Sequence, residues 1–305
     1  MPAKRSGAQA ANFTSIFVTA QDGVRLHARD YGPRAGARLP VICLPGLTRT
    51  CADFHALATA LSSDSARPRR VLSVDYRGRG GSDYDDPRNY TIPVEMADVL
   101  AVAIACDALP SVFVGTSRGG LIIMALAAAR PAAIAGIVLN DIGPVIEAPA
   151  LLRIKGYVGR VPEMRTFEDG SEILRRAFGA QFPALGPADW MAWSHRAWKR
   201  DGDRLIPTYD VRLASVLEAV DGDSPMPPLW PQFDALPGVP LMLVRGAHSD
   251  LLSRETVKTM RARRPDMRVL EVPDQGHAPL LAEPETIEPI VEFVAGCERV
   301  CGSHI

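Results

Sequence analysis

Short apolar runs alternate with longer amphipathic ones along most of this chain, a rhythm that predicts a largely parallel sheet covered by helices. The runs expected as strands are 14–21, 24–31, 40–44, 70–75, 111–115, 136–140, 240–245 and 267–272. The first two flank Asp22-Gly23, a tight-turn pair, so the sheet should begin with an antiparallel hairpin. Most of the others are rich in Val, Ile and Leu without alternation, the pattern of strands buried on both faces. Helical spacing falls between them, at 53–62, 96–108, 119–129, 254–264 and 284–295.

From 145 to 236 the rhythm stops. No strand is expected there; amphipathic helical stretches occupy 149–158, 171–178, 187–200 and 211–219, and all four tryptophans lie in this interval. A crossover this long without structure of its own would be unusual. The reading is therefore an α/β core formed by 1–144 and 237–305, with a helical cap, 145–236, inserted between the sixth and seventh strands of an eight-stranded sheet.

Composition narrows the partners. The chain has 305 residues, 34 Lys+Arg against 35 Asp+Glu, and a formal charge of -1, so nothing suggests the clustered basic surface that nucleic acid requires. No apolar run approaches the ~20 residues of a membrane span. The first twelve residues lack the apolar centre of a secretory signal. The five cysteines are scattered and odd in number, which reads as reduced thiols in a cytoplasmic protein. Neither a zinc-binding H-E-x-x-H nor a dinucleotide fingerprint is present, so no metal and no organic cofactor is expected. The partner this leaves is a small molecule.

The strongest chemical signal is Gly115-Thr116-Ser117-Arg118-Gly119-Gly120, placed between an apolar strand and a helix rich in Leu, Ile and Ala. A serine on so sharp a turn is lifted above the sheet with its hydroxyl exposed, and flanking glycines avoid backbone collisions. A serine hydroxyl needs a base. Of six histidines, His277 follows the last strand in Gly276-His277-Ala278-Pro279, at the carboxyl edge where Ser117 also emerges and where ligands gather in open α/β sheets. His27, His55, His195, His248 and His304 are less well placed. The base needs an acid to fix its tautomer. Asp250, in the loop after strand 240–245, is the preferred candidate; Asp141, after strand 136–140, competes with it. Oxyanion donors are expected from the backbone N–H groups of Arg118 and of Leu47, in the loop Pro45-Gly46-Leu47. Arg49 and Arg118 are candidates for holding a substrate carboxylate, and Trp190, Trp193 and Trp230 for lining a pocket.

These pieces, together with Asp75-Tyr76-Arg77-Gly78-Arg79-Gly80-Gly81-Ser82-Asp83 and Arg245–Asp250, resemble the α/β-hydrolase superfamily in its capped branch, which includes esterases, lactonases and carbon–carbon bond hydrolases. The resemblance runs from about Thr19 to Val294 and assigns 77–83 a structural turn. Four positions depart from known subgroups. Pro45 stands where many relatives carry histidine. Thr116 and Ala278 replace the Asn and Trp typical of ring-cleavage product hydrolases. Ser117 replaces the aspartate nucleophile of haloalkane dehalogenases and epoxide hydrolases. The function this implies is hydrolysis of a carboxylic ester or lactone through an acyl-enzyme. Amide or carbon–carbon hydrolysis, cofactor-free oxygenation, perhydrolysis and ligand reception are the alternatives on the same fold.

Overall fold

The computed structural model describes residues 12–36, 38–64, 67–221 and 226–301. The N-terminal segment searched for a targeting signal, up to residue 11, and His304 lie outside them. Eight strands form one sheet, all at the positions that the apolar runs indicate. In chain order the elements begin β1 (Phe13–Thr19), β2 (Arg25–Tyr31), β3 (Val41–Leu44), α1 (His55–Ser63), β4 (Val71–Val74), α2 (Ile92–Ala105), β5 (Ser111–Thr116), α3 (Arg118–Ala129) and β6 (Ile134–Asn140). An insert follows with α4 (Ala148–Tyr157), α5 (Phe167–Phe178), α6 (Pro187–Ala197), β7 (Trp198–Asp201), β8 (Arg204–Pro207) and α7 (Trp230–Asp234). The chain closes with β9 (Leu241–Gly246), α8 (Arg254–Arg263), β10 (Arg268–Val272) and α9 (Pro284–Cys301).

The strand order across the sheet is β1-β2-β4-β3-β5-β6-β9-β10. β1 and β2 pair antiparallel, as do β2 and β4, and the remaining neighbours are parallel. Strand alternation sends Ile42, Leu44 and Phe113 into one core with α2, α3, α7 and α8, while Val41, Cys43, Val112 and Val114 meet α1 and α9 on the other face. Both faces are therefore buried, which is why these strands are apolar without a break. Among the described residues, no helix is long and apolar enough to cross a membrane.

Two expectations for the insert need correction. The helix expected to run to residue 200 stops at Ala197, and 198–207 form an antiparallel hairpin, with Trp198 opposite Pro207 and Asp201 opposite Arg204. Gly202, at φ +60°, makes its turn. The strands are four residues each and largely polar on one side, too short to register as alternation; only Asp201-Gly202 carried a turn signal. The stretch 211–219 contains a 3-10 helix at Val211–Leu217 and not an α-helix.

Close approach of β5, α3 and β3 depends on glycine. A Cβ at Gly119 would lie 2.2 Å from the Leu44 carbonyl oxygen, and one at Gly115 2.6 Å from the Gly119 carbonyl carbon. Both obstacles are backbone, so neither side can rotate away. Gly119→Ala is therefore expected to destabilise the protein by about 3 kcal/mol, measured as a fall in urea midpoint at unchanged m-value. A midpoint equal to wild type would refute the packing argument.

Candidate active site

The carboxyl ends of β3, β5, β6, β9 and β10, consecutive across the sheet, bring five loops to one edge. Ser117 follows β5 at φ 50° and ψ −110°, strained for an L-residue, between the strand and the first turn of α3. This strain is what the flanking glycines and the tight strand-to-helix bend impose. His277 follows β10. Its Nε2 lies 2.9 Å from Ser117 Oγ and its Nδ1 2.8 Å from Asp141 Oδ2. A carboxylate can only accept, so Nδ1 carries the proton and Nε2 is left to accept from the serine hydroxyl.

The acid beside His277 is thus Asp141, and the expectation of Asp250 is corrected. Asp141 follows β6, is fully buried, and adopts φ 56°. The loop after β9 feeds it: Gly246 N–H donates to Oδ1 at 2.9 Å and Ser249 Oγ to Oδ2 at 2.6 Å. That leaves Asp250, one residue further on, facing the insert, where Arg153 of α4 holds it through two hydrogen bonds of 2.7 and 2.8 Å. Burial raises the Asp250 pKa, but the hydrogen bonds and charge of Arg153, helped by a hydrogen bond from Gln181, outweigh it and keep the carboxyl below its usual value. Both aspartates sit at the right edge. Only their neighbours distinguish them.

Asn140, which the sequence did not single out, pins the histidine loop: its Nδ2 donates to the Pro279 carbonyl at 2.9 Å and to Thr116 Oγ1 at 3.0 Å. Ser249, equally unremarked, orients Asp141. Neither carried a motif; each is a small polar residue in a loop, a type too common to signal a role.

The two expected oxyanion donors flank Ser117. Arg118 opens α3, where the first N–H groups have no partner within the helix. Leu47 lies in the loop after β3; a Cβ at its neighbour Gly46 would stand 3.9 Å from Ser117 Cβ. Among the described residues neither amide donates a hydrogen bond to the protein. The Arg118 side chain is not available to a substrate, since Nε donates to Glu95 at 2.5 Å and Nη2 to the Tyr90 carbonyl at 2.8 Å.

A cavity of about 210 Å³ lies over Ser117 and His277, walled by the Pro45–Leu47 loop on one side and by insert residues such as Tyr157, Leu174, Phe178 and Trp193 on the other. Arg49 lines it, stacked 4.7 Å above the Trp193 ring and paired with Asp53 through two contacts of 2.9 Å. Arg196 donates to the same carboxylate at 3.1 Å. Burial, opposed by Asp53 and reinforced by the charge of Arg49, lowers the Arg196 pKa. Arg160, exposed at the rim, has no acidic partner among the described residues. Trp190 and Trp230 do not reach the cavity, correcting the expectation for both. Trp190 stacks behind Trp193 at 5.5 Å, and Trp230 lies against Phe233 and Arg263 on the sheet core. A tryptophan is large enough to serve as core wherever its helix turns it, and the sequence does not fix that rotation.

One polar cluster lies apart from the serine. His27, Cys51 and Asp75 are buried with their ligand-type atoms within 4.8 Å of one another. Asp75 already accepts from His27 Nδ1 at 2.7 Å, Cys51 N–H at 2.7 Å and Gly81 N–H at 3.0 Å, so the group is a satisfied hydrogen-bond hub for the 75–83 turn.

Residues 41–289 match the model of the "Alpha/beta hydrolase family". The chain is 35% identical over 282 residues to the 3-hydroxybutyrate-oligomer hydrolase of Cupriavidus necator, covering 89% of this chain and 93% of that protein. It is 26% identical to the 2-(acetamidomethylene)succinate hydrolase of Mesorhizobium japonicum, over 82% of this chain and 85% of that one. Among solved structures, an alpha/beta hydrolase from Novosphingobium aromaticivorans superposes with a TM-score of 0.86 at 39% identity, covering 94% of this chain and 99% of the other.

Proposed function

Because this chain belongs to the alpha/beta hydrolase family and is a hydrolase, we propose that it cleaves small carboxylic esters bearing a free carboxylate, short hydroxyalkanoate oligoesters foremost, through an acyl-enzyme on Ser117. The observation that carries this reading is the imidazole of His277 lying between Ser117 Oγ at 2.9 Å and Asp141 Oδ2 at 2.8 Å. Ser117 attacks the ester carbonyl as His277 Nε2 takes its proton. Asp141 holds the ring and balances the imidazolium. The N–H groups of Leu47 and Arg118 hold the oxyanion. His277 then returns the proton to the departing alkoxide, and water repeats the cycle to free the acid. Residues 145–236 act as a cap that shapes the acyl site and excludes water.

Charge supports the anionic substrate. Asp53 is shared by Arg49 and Arg196, so this wall of the cavity keeps a surplus positive charge, and Arg160 adds another at the rim. A carboxylate there would meet a guanidinium without competing with a protein acid. The relative from Cupriavidus necator is named for an oligomer of a hydroxy acid, whose chain ends in a carboxylate.

The test compares the 3-hydroxybutyrate dimer with its methyl ester. Turnover of the free acid is expected to exceed that of the methyl ester by about tenfold in kcat/KM, the size of one partly solvated charge-assisted contact. Arg160→Ala should narrow the gap by raising KM for the acid alone. Equal turnover of the two would remove the carboxylate from the proposal. Failure of a fluorophosphonate to label Ser117 would remove the acyl-enzyme.

A further inference from the structure

Glu95, in the first turn of α2, has no exposed surface and lies between two guanidiniums. Arg79 Nη1 pairs with its Oε1 at 2.7 Å and Arg118 Nε with its Oε2 at 2.5 Å. These arginines lead in different directions. Arg79, itself fully buried, donates from Nε to the Leu47 carbonyl at 3.0 Å and from Nη1 to the Arg77 carbonyl at 2.7 Å. Arg118 is the residue whose own N–H forms the other half of the oxyanion hole.

The peptide that carries the Leu47 N–H is held on both sides. The Pro45 carbonyl before it accepts from Tyr76 Oη at 3.1 Å, and the Leu47 carbonyl after it accepts from Arg79. With the peptides on either side fixed, the Gly46–Leu47 plane has little freedom to rotate, although Gly46 by itself would allow it. A continuous line of contacts thus runs from one donor to the other: Leu47 carbonyl, Arg79, Glu95, Arg118. We propose that Glu95 is a positioning residue that sets the spacing and aim of the two oxyanion donors by clamping Arg79 and Arg118 from beneath. This rests on the serine-hydrolase reading above and adds to it a part for the 77–83 turn, which the sequence suggested was structural only. Two guanidiniums against one carboxylate also leave a net positive charge under the position where the oxyanion develops. In a buried setting such charge acts with little screening.

A positioning role makes a claim that a packing role does not. Donor aim matters only once the carbonyl oxygen becomes an anion, so Glu95→Gln should lower kcat by about 10- to 100-fold while KM stays within about threefold. Affinity for butylboronic acid, which forms a tetrahedral anion on Ser117, should fall by the same factor as kcat. Asp98→Asn is the control, because Asp98 pairs with the Arg77 guanidinium in a buried ion pair whose side chains contact neither Glu95, Arg118 nor the oxyanion loop. It should lower Tm and leave kcat in place.

A folded Glu95→Gln protein with kcat within about twofold of wild type would overturn the proposal, as would a kcat loss with unchanged boronate affinity. Should Glu95→Gln leave the arginines too poorly compensated to fold, Arg118→Met decides, since it releases one arm and keeps the Arg79–Glu95 pair. Loss of about tenfold in kcat with matching loss of boronate affinity supports the clamp, and wild-type values refute it. If Ser117→Ala were to retain wild-type turnover, the underlying reading would fail, a result independent of either outcome at Glu95.

Discussion

Asp141→Asn is expected to lower kcat by about 10⁴-fold, the loss that follows when a triad carboxylate becomes an amide and the histidine is held in the wrong tautomer. The hydrogen bonds around Asp141 give the reason. Its two oxygens accept from Gly246 N–H, Ser249 Oγ and His277 Nδ1. An asparagine has one oxygen to offer. If that oxygen faces Gly246, the amide NH₂ meets His277 and forces Nδ1 to become the acceptor; Nε2 then carries the proton and cannot take one from Ser117. If it faces His277, the NH₂ opposes the Gly246 N–H and leaves two buried donors in conflict, at about 1–3 kcal/mol of stability. Asp250→Asn should cost kcat no more than about tenfold, because it removes a partner of Arg153 and not of the imidazole. Steady-state turnover of p-nitrophenyl butyrate by the two variants settles the matter. Comparable activity of Asp141→Asn and wild type would reject the assignment of the acid.

The larger loss should come at the nucleophile. Ser117→Ala is expected to reduce kcat by about 10⁶-fold, because the remaining machinery has nothing to activate, while substrate affinity changes little. Stability offers a second readout. Alanine inherits the same unfavourable backbone, φ 50° and ψ −110°, so Ser117→Ala should not gain stability from relief of strain. Ser117→Gly removes a strain of roughly 1–3 kcal/mol and adds back a smaller entropic cost of about 0.5–1 kcal/mol. The glycine variant should therefore unfold at a higher temperature than the alanine variant. Retained turnover in both would mean that another group attacks the substrate. Equal melting temperatures would mean that the elbow is not under strain.

Much of the fold could be read from the order of the residues. Strands such as Val112–Val114 bury both faces, and that requires unbroken apolar sequence. Gly115 and Gly119 mark backbone approaches that no other residue permits. Ser117 and His277 stood out because each is tied to a local backbone event, a sharp turn after a strand or a loop after the last one. The hairpin at 198–207 did not stand out, since four-residue strands leave too little pattern.

The chain order alone therefore determined the sheet, the elbow and the placement of a histidine at its edge, because burial and backbone sterics act over a few neighbouring residues. Which aspartate meets that histidine was decided elsewhere, by Arg153, 97 positions from Asp250, and by Ser249, 108 positions from Asp141. The same holds for Trp193 facing the cavity while Trp190 stacks behind it, and for Glu95 joining Arg79 to Arg118. A side chain's direction is chosen among competing partners that only the folded chain brings within reach, and no local pattern encodes that competition.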